Sequence, residues 1–373
     1  MFIIKKIVSI MAAFVLMLYG FVGFSNNVSD DYTEGKYKNV ILMIGDGMSF
    51  NNLEATKALR GVELAMETMP VALKSDINSY LLPYTDSAAG GTALSSGIRV
   101  WANSLAVFPF NPVITYFADS IPVTIAELAK ANGKAAGVVT TDQTSGATPS
   151  AFSAHALARS MEADISADQL KTGFDLIWGA ASDSINEENT AENGWIYIDS
   201  ETEMMALKEG SRSFAQFSFD DLKYVENKHD TPSVEEMTSK AIELLSADED
   251  GFFLMVEGAC IDKHAHNNDM EYMTLSAVEF DKAVAAALDF AEKDGETLVV
   301  VTADHGTGGM EYDADKDEYY FTSGDHDLWD VPVYVSATDA GFTSDIEIAN
   351  RQIPVQLARV MGYGESEFPA VKK

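Results

Sequence analysis

Cysteine is nearly absent from the 373-residue sequence. The single residue, Cys260, excludes an intrachain disulfide, even in a compartment that would permit one. Stability must therefore come from a buried core and from any bound metal. A chain of this length with 47% hydrophobic residues can bury a full core, and its size is typical of one large α/β domain with insertions.

Positive charge is also scarce. The sequence has 25 lysines and arginines against 58 aspartates and glutamates, which gives a formal net charge of −33. Such a surface repels nucleic acid and anionic membranes, so we expect neither as a docking partner and no stable membrane association. A phosphorylated substrate would be repelled too, unless cations in the site reverse the sign locally.

Long apolar runs are missing except at the N-terminus. There, Lys5 and Lys6 precede an apolar run from Ile7 to Phe24, and small polar residues follow, which is the order of a secretory signal peptide. A retained anchor is the alternative, because about 18 apolar residues approach the length that spans a bilayer. We expect a periplasmic or secreted protein with a signal peptide at 1–25, a linker at 26–38 and one domain at 39–373.

Nucleotide-binding signatures are absent as well: there is no Walker A sequence and no G-x-G-x-x-G after a strand. What the sequence does contain is a series of apolar runs typical of buried parallel strands, at 40–44, 135–141, 252–256 and 298–302. Three of them lead directly into metal-ligand or acid–base residues. In open α/β sheets, ligands bind at the carboxyl ends of the strands.

The remaining periodic segments predict a more ordinary framework. We expect helices at 121–131, 234–245, 273–292 and 355–361, strands at 174–180 and 331–336, and a solvated hairpin at 311–320. A capping box, Ser233-x-x-Glu236, opens the second of these helices. From about 160 to 230 the signals weaken, so apart from the strand at 174–180 we expect insertion and loop.

The densest chemistry follows the strand at 252–256. Asp262 and His266 are four residues apart, and a carboxylate and an imidazole that converge in this way suit zinc. A polar loop is the alternative, but charges this close to a buried strand need partners. Asp46 lies between two glycines after the first strand, where an ordinary helix N-cap or turn is the alternative.

The stretch 84–97, YTDSAAGGTALSSG, places one hydroxyl, Ser87, between Asp86 and a run of very small residues. A serine in the first turn of a helix lies where backbone N–H groups stabilise an oxyanion or a phosphate. A Ser/Gly-rich loop capped by Asp86 is the alternative. Arg159 follows a later helical pattern and is able to clamp two oxygens of an anion, although a surface arginine is the commoner case.

Five ordered blocks together resemble the bacterial alkaline phosphatase family. They are IGDGM, TDSAAGGTA, ATPSAFSAHALAR, VEGACIDKHAH and VTADHGTGG, and GDH at His326 follows them. The resemblance covers most of the chain from Val40 onward. It implies a three-layer α/β/α sandwich with a mostly parallel central sheet, and it makes residues 39–373 the catalytic domain.

The same resemblance implies a metal-dependent phosphate monoester hydrolase that forms a phosphoserine intermediate and releases inorganic phosphate. Ser87 would be the nucleophile, Arg159 would grip the phosphate, and Lys263 would lie near it through water. Two Zn²⁺ and one Mg²⁺ are the implied cofactors. Their implied ligands are Asp262, His266 and His326 for the first zinc, Asp46, Asp304 and His305 for the second, and Asp46, Thr148 and Glu257 for magnesium.

The sequence departs from the family pattern at two glycines. The family usually has Asp or His where this chain has Gly146, two residues before Thr148, and that side chain supports magnesium indirectly. Its absence bears on magnesium affinity more than on zinc or on the nucleophile. Gly306, after His305, replaces bulkier residues. The inserted segments that build a crown or a long interface loop in larger relatives look absent or reduced. The sequence therefore does not decide between a monomer and a homodimer.

Three other functions compete with this interpretation. Sulfatases need a Cys or Ser followed two residues later by Pro and then Arg, which the run from Ser87 to Gly90 lacks. Phosphodiesterases of the superfamily tend to use Thr and lack the arginine and the third metal site, so Arg159, Thr148 and Glu257 favour monoesters. An exported metal-binding protein without turnover would need neither Ser87 nor Arg159.

Overall fold

The structure is a computed structural model that describes residues 33–107, 121–224, 229–344 and 346–372. The predicted signal peptide at 1–25 lies outside the described residues, as does the first part of the predicted linker. The end of that linker packs on the domain: Tyr37 is buried, and its backbone N–H donates to the carbonyl of Val360 at 3.0 Å. In these ranges no helix has the length and apolarity needed to cross a bilayer.

One ten-stranded sheet organises the described residues, in the order β12-β2-β11-β8-β1-β7-β3-β4-β6-β5. Strand β11 runs antiparallel to both of its neighbours, and every other neighbouring pair is parallel, so the prediction of a mostly parallel sheet is confirmed. Strands β9 and β10 form a separate antiparallel hairpin. The strands are β1 (Asn39–Gly45), β2 (Val71–Asp76), β3 (Ala135–Gln143), β4 (Leu176–Ala180), β5 (Ile196–Ile198), β6 (Ser213–Phe217), β7 (Phe252–Gly258), β8 (Thr297–Thr302), β9 (Met310–Asp313), β10 (Glu318–Phe321), β11 (Val331–Val335) and β12 (Glu347–Ala349).

Helices cover both faces of this sheet, as the predicted three-layer sandwich requires. Alternate residues of β1 enter different cores: Val40, Leu42 and Ile44 pack with helices α2, α3, α4 and α12, whereas Ile41 and Met43 pack with α1, α9 and α11. The helices are α1 (Phe50–Arg60), α2 (Ser87–Ser96), α3 (Ile125–Ala131), α4 (Ala147–Ser153), α5 (Glu162–Gln169), α6 (Glu187–Glu192), α7 (Glu201–Ala206), α8 (Phe219–Lys223), α9 (Val234–Leu245), α10 (Cys260–His266), α11 (Met270–Asp294) and α12 (Gln352–Val360).

The helix predicted at 121–131 begins later than expected. Thr124 is its N-cap and accepts from the backbone N–H of Glu127 at 3.2 Å, while Glu127 accepts from the backbone N–H of Thr124. This capping box fixes the start of α3 at Ile125. The capping box predicted for α9 is present. The helix predicted at 273–292 is α11, which begins three residues earlier and ends before Gly295, a residue in the left-handed conformation.

The strand predicted at 174–180 is confirmed as β4, but the prediction of loop for the rest of 160–230 is wrong. Strands β6 and β5 follow β4 at one edge of the sheet, and the same segment contains four short helices. The pattern was obscured because β6 buries polar side chains in satisfied hydrogen bonds: Ser213 accepts from the indole of Trp178 at 2.9 Å, and Gln216 donates to Thr144 at 2.9 Å. Buried polar groups that pair in this way are compatible with a core but not visible as an apolar run.

Arg212 holds this edge of the molecule together. Its guanidinium donates to the carbonyls of Phe174 at 2.9 Å, Asn193 at 2.7 Å and Thr172, and it lies 3.7 Å from the ring centroid of Trp195. One side chain thereby ties three loops of the extended edge to each other.

Replacing Arg212 by alanine should lower the free energy of unfolding by about 2–4 kcal/mol, because three carbonyls lose a charged donor and Trp195 loses the cation above its ring. Urea denaturation measures the change. Arg212→Lys keeps the charge without the planar fork and should recover only part of the loss. A loss under about 0.5 kcal/mol in the alanine variant would show that the edge is held by other contacts.

Candidate active site

The sheet brings the polar ends of its central strands to one edge. In the register, Ile44 of β1 lies opposite Glu257 of β7 on one side and Thr302 of β8 on the other. Asp46 follows Ile44 by two residues, and Asp304 follows Thr302 by two. Three buried carboxylates therefore start from neighbouring positions, although more than two hundred residues separate the first from the other two.

Ser87 is the first residue of α2, and the predicted helix start is confirmed. Asp86 is the N-cap: its carboxylate accepts from the backbone N–H groups of Ala89 at 3.2 Å and Asn103 at 2.9 Å. Ser87 is buried, and its Oγ lies 3.2 Å from Nε2 of His305. The nucleophile candidate and a metal-ligand candidate thus face each other.

Asp262, His266 and His326 form one group whose ligand atoms all lie within 4.8 Å of one another. Each imidazole donates its Nδ1 proton to a backbone carbonyl, His266 to Gly324 at 2.6 Å and His326 to Thr85 at 3.1 Å. Neutral rings held in this way carry no proton on Nε2. The two Nε2 atoms are nevertheless only 3.1 Å apart, an arrangement that suits a shared cation.

Asp46, Asp262 and His305 form a second group within the same distance limit. Nε2 of His305 lies 3.5 Å from Asp46 and 3.4 Å from Asp304, so Asp304 borders this group too. Thr307 fixes the ring: its hydroxyl donates to Asp262 at 2.6 Å and therefore accepts from Nδ1 of His305 at 3.2 Å. Nε2 of His305 is again left without a proton and available to a metal.

Four buried oxygens in this region have no hydrogen-bond partner in the described residues: Asp46 Oδ1, Asp304 Oδ2, Glu257 Oε1 and Thr148 Oγ1. Burial raises the pKa of all three carboxyl groups, that of Asp304 and Glu257 well above the ordinary value. Burial also lowers the pKa of His305 to about 3. Carboxylates and unprotonated imidazoles that lack partners inside a protein fit bound divalent cations.

Glycine is required where the ends of β1 and β7 come close together. Gly47 has φ +70°, and a Cβ there would lie 2.8 Å from Cα of Asp262. Gly306, one of the two departures from the family pattern, leaves room for Asp327, because a Cβ at 306 would lie 2.7 Å from its Oδ2. The smaller residue is thus matched by a neighbouring carboxylate.

Arg159 and Lys263 both lie in ion pairs. Arg159 donates to Asp86 at 3.1 Å, and its side chain stays 37% exposed beside Ser87. Lys263 pairs with Asp142 at 2.8 Å. Burial alone would lower the pKa of each cation, but the paired carboxylate outweighs it and raises both pKa values.

Sequence reasoning missed Thr307 and Asp142. Thr307 contacts ligand candidates of both metal groups, and Asp142 pairs with Lys263 near Glu257. Thr307 lies inside the block VTADHGTGG, but a threonine there carries no chemical signal of its own. Asp142 comes directly after the apolar run at 135–141, much as Asp46 comes after the run at 40–44, and that position is the available signal.

A family model described as alkaline phosphatase matches residues 37–178 and 175–335. The chain belongs to the alkaline phosphatase family. It is 34% identical over 303 residues to alkaline phosphatase 3 of Bacillus subtilis, covering 76% of this chain and 64% of that protein. It is also 29% identical over 346 residues to the alkaline phosphatase of Escherichia coli, and this match covers 74% of this chain and 71% of that protein. The chain thus spans a little less than two thirds of the length of the Bacillus relative.

Solved alkaline phosphatases share the fold. The enzyme from the Antarctic bacterium TAB5 superposes with a TM-score of 0.75 at 26% identity, covering 89% of this chain and all of that one. A variant of that enzyme is described with Mg bound in the M3 site. A cold-active alkaline phosphatase from Shewanella superposes with a TM-score of 0.79 at 22% identity, which again supports the fold.

Metal-free protein should lose stability as the pH rises above the ordinary carboxyl values of 3.8 for aspartate and 4.5 for glutamate. Below that range both states are protonated. Above it the unfolded chain releases protons that folded Asp46, Glu257 and Asp304 retain, so rising pH favours unfolding. Bound zinc should remove this penalty, and stabilisation by zinc should therefore grow with pH.

Urea midpoints of chelator-treated and zinc-restored protein at about pH 5, 7 and 9 test this. Asp304→Asn is the control and should flatten the slope of the metal-free protein, which separates the site from the general effect of a very acidic surface. A zinc effect that is the same at every pH would contradict the prediction.

Proposed function

We propose that the chain is a metal-dependent phosphate monoester hydrolase, an alkaline phosphatase, that acts through a phosphoserine intermediate and releases inorganic phosphate. The observation that supports this most directly is the Ser87 Oγ, 3.2 Å from the Nε2 of His305 that faces Asp46 and Asp304. A hydroxyl on the first residue of a helix, directed at a group of metal-ligand atoms, suits nucleophilic attack on phosphorus.

Two Zn²⁺ and one Mg²⁺ are the proposed cofactors. Bound zinc would lower the pKa of a hydroxyl or a water and neutralise charge on the phosphoryl oxygens. The proposed ligands are Asp262, His266 and His326 for the first zinc, Asp46, Asp304 and His305 for the second zinc, and Asp46, Thr148 and Glu257 for magnesium.

Ser87 would carry the covalent step. Its Oγ attacks phosphorus, the bond from phosphorus to the leaving oxygen breaks, and the alcohol departs. Water then attacks the phosphoserine, the bond from phosphorus to Oγ breaks, and inorganic phosphate leaves. The serine proton ends on the departing alcohol, and His305 would not take it, because its Nε2 is a proposed zinc ligand.

Arg159 and Lys263 would bind the substrate. Asp86 holds the Arg159 guanidinium beside Ser87, and a planar fork donates to two phosphoryl oxygens at once. Lys263, paired with Asp142, would act on the phosphate through water. These two cations counter the repulsion that a chain with a net charge of −33 exerts on a phosphate ester.

Small-molecule phosphate monoesters are the proposed substrates, and nucleic acid is not a proposed docking partner. A phosphodiesterase and a sulfatase are less well supported, because Thr148 Oγ1 and Glu257 Oε1 offer a third cation site and Ser87 has no following Pro and Arg. The proposed location, periplasmic or secreted, depends on the segment 1–25.

Purified protein should hydrolyse an aryl phosphate at alkaline pH faster than an aryl diester or an aryl sulfate. Chelator should abolish the activity and zinc should restore it. Ser87→Ala should lower kcat by about 10³-fold or more and remove the phosphoenzyme, because the covalent step loses its oxygen. Ser95→Ala, a buried serine of the same helix, should stay active. Faster turnover of the diester would contradict the proposal.

Arg159→Ala should lower kcat/KM for the aryl phosphate by about 10- to 100-fold, because the phosphoryl oxygens lose a two-point charged donor. Arg159→Lys should recover only part, since an ammonium donates from one point. Steady-state kinetics and inhibition by inorganic phosphate measure the loss. Unchanged inhibition by phosphate in the alanine variant would exclude contact between Arg159 and the phosphoryl group.

A further inference from the structure

The side chain missing at Gly146 is replaced in space by another residue. Gly146 has φ −56°, which any residue adopts, so its backbone dihedral angle does not require glycine. A Cβ built there would collide with Oδ2 of Asp142 and lie 2.7 Å from its Cγ. The carboxylate of Asp142 therefore occupies the volume into which a side chain at 146 would project.

Asp142 is held firmly in that volume. Its Oδ1 pairs with Nζ of Lys263 at 2.8 Å and also accepts from the backbone N–H of Gln143 at 2.8 Å. Its own backbone N–H donates to the hydroxyl of Thr140 at 2.8 Å, and that hydroxyl donates to Oε2 of Glu257. A chain of hydrogen bonds thus runs from the backbone N–H of Asp142 to a proposed magnesium ligand, and it fixes the backbone that carries the carboxylate.

A second, independent observation points to a cation here. Oε1 of Glu257 and Oγ1 of Thr148 are both buried without a hydrogen-bond partner. Oxygen ligands of this kind, supplemented by water, are those that magnesium prefers. The groups that orient metal ligands or bound water typically contribute 10- to 100-fold in metal affinity.

We propose that Asp142 is the positioning residue of the third metal site in this chain. From the space left open by Gly146, its carboxylate stabilises a divalent cation held by Asp46, Thr148 and Glu257, and it orients Lys263. This inference rests on the proposed function. We therefore no longer expect Gly146 to weaken magnesium binding, because Asp142 supplies a carboxylate from β3 in place of a side chain at the N-cap of α4.

Magnesium binding to the zinc-loaded protein tests the inference. Samples are dialysed against a series of Mg²⁺ concentrations, and zinc and magnesium per chain are counted by elemental analysis. Asp142→Ala should bind magnesium about 10- to 100-fold more weakly with its zinc content unchanged. Asp183→Ala removes the same charge from an exposed position and should bind magnesium like the wild type. Equal affinity in Asp142→Ala and wild type would overturn the proposal.

One further variant, compared with Asp142→Ala, separates a role in the metal site from a merely structural one. Lys263→Met removes the partner of Asp142 and should leave magnesium affinity equal or higher, because a cation is lost beside the site. If Asp142 served only to pair with Lys263, neither variant would change the magnesium content. That result would overturn the proposal.

Gly146→Asp tests whether a carboxylate at position 146 can take over the role of the carboxylate of Asp142. In the wild-type background the new side chain competes with Asp142 for one volume and should weaken magnesium binding. In the Asp142→Ala background the volume is empty apart from the carbonyl of Gln143, 2.9 Å from the new Cβ, and magnesium binding should be regained. A double variant no better than Asp142→Ala would show that the two positions do not share a role.

Activity on an aryl phosphate, measured on the same samples, distinguishes the two proposals. A wild-type protein that holds zinc but releases no phosphate would defeat the proposed function. An active wild type whose magnesium affinity is indifferent to Asp142→Ala would defeat only the inference about Asp142.

Discussion

The burial of three carboxyl groups at the carboxyl edge of the sheet is the constraint on which the site depends. Asp46, Glu257 and Asp304 are buried next to one another, and each keeps an oxygen without a hydrogen-bond partner. A fold bears such a cost when something else supplies the missing charge, and neutral imidazoles with bare Nε2 atoms alongside select a divalent metal. The core, the glycine turns and the helix start at Ser87 all serve to hold these groups at this spacing.

Much of this arrangement is predictable from the sequence because it follows from two regular rules. Buried parallel strands have continuous apolar sequences, so the apolar runs alone predict β1, β7 and β8. Because parallel strands end at the same edge of a sheet, the residues that follow them are predicted to lie together. The spacing of four residues predicts that Asp262 and His266 converge. The very small residues after Ser87 single it out as a candidate nucleophile. Their assignment to particular ions came from the family resemblance.

Other features of the fold and the site are not predictable from the sequence, for physical reasons. Strand β6 buries Ser213 and Gln216 in polar pairs, so its sequence resembles a loop. The start of α3 depends on a cap rather than on periodicity. Asp142 and Thr307 act through other side chains, and such relations arise only when β3, α10 and the segment after β8 have come together. Local sequence spacing does not predict contacts between residues that are far apart in the chain.

The rings of His266 and His326 are fixed by main-chain carbonyls, whereas His305 and Asp262 are fixed by the hydroxyl of Thr307. A main-chain acceptor survives a change of residue type that preserves the local conformation, so Thr85 can change in identity without reorienting the ring of His326. Gly324 is constrained by space, because a Cβ there would lie 2.7 Å from the carbonyl oxygen of His266. Position 307 has no such freedom. Mutational tolerance around this centre should therefore be sharply uneven, with one small hydroxyl residue constraining ligand candidates of both metal groups.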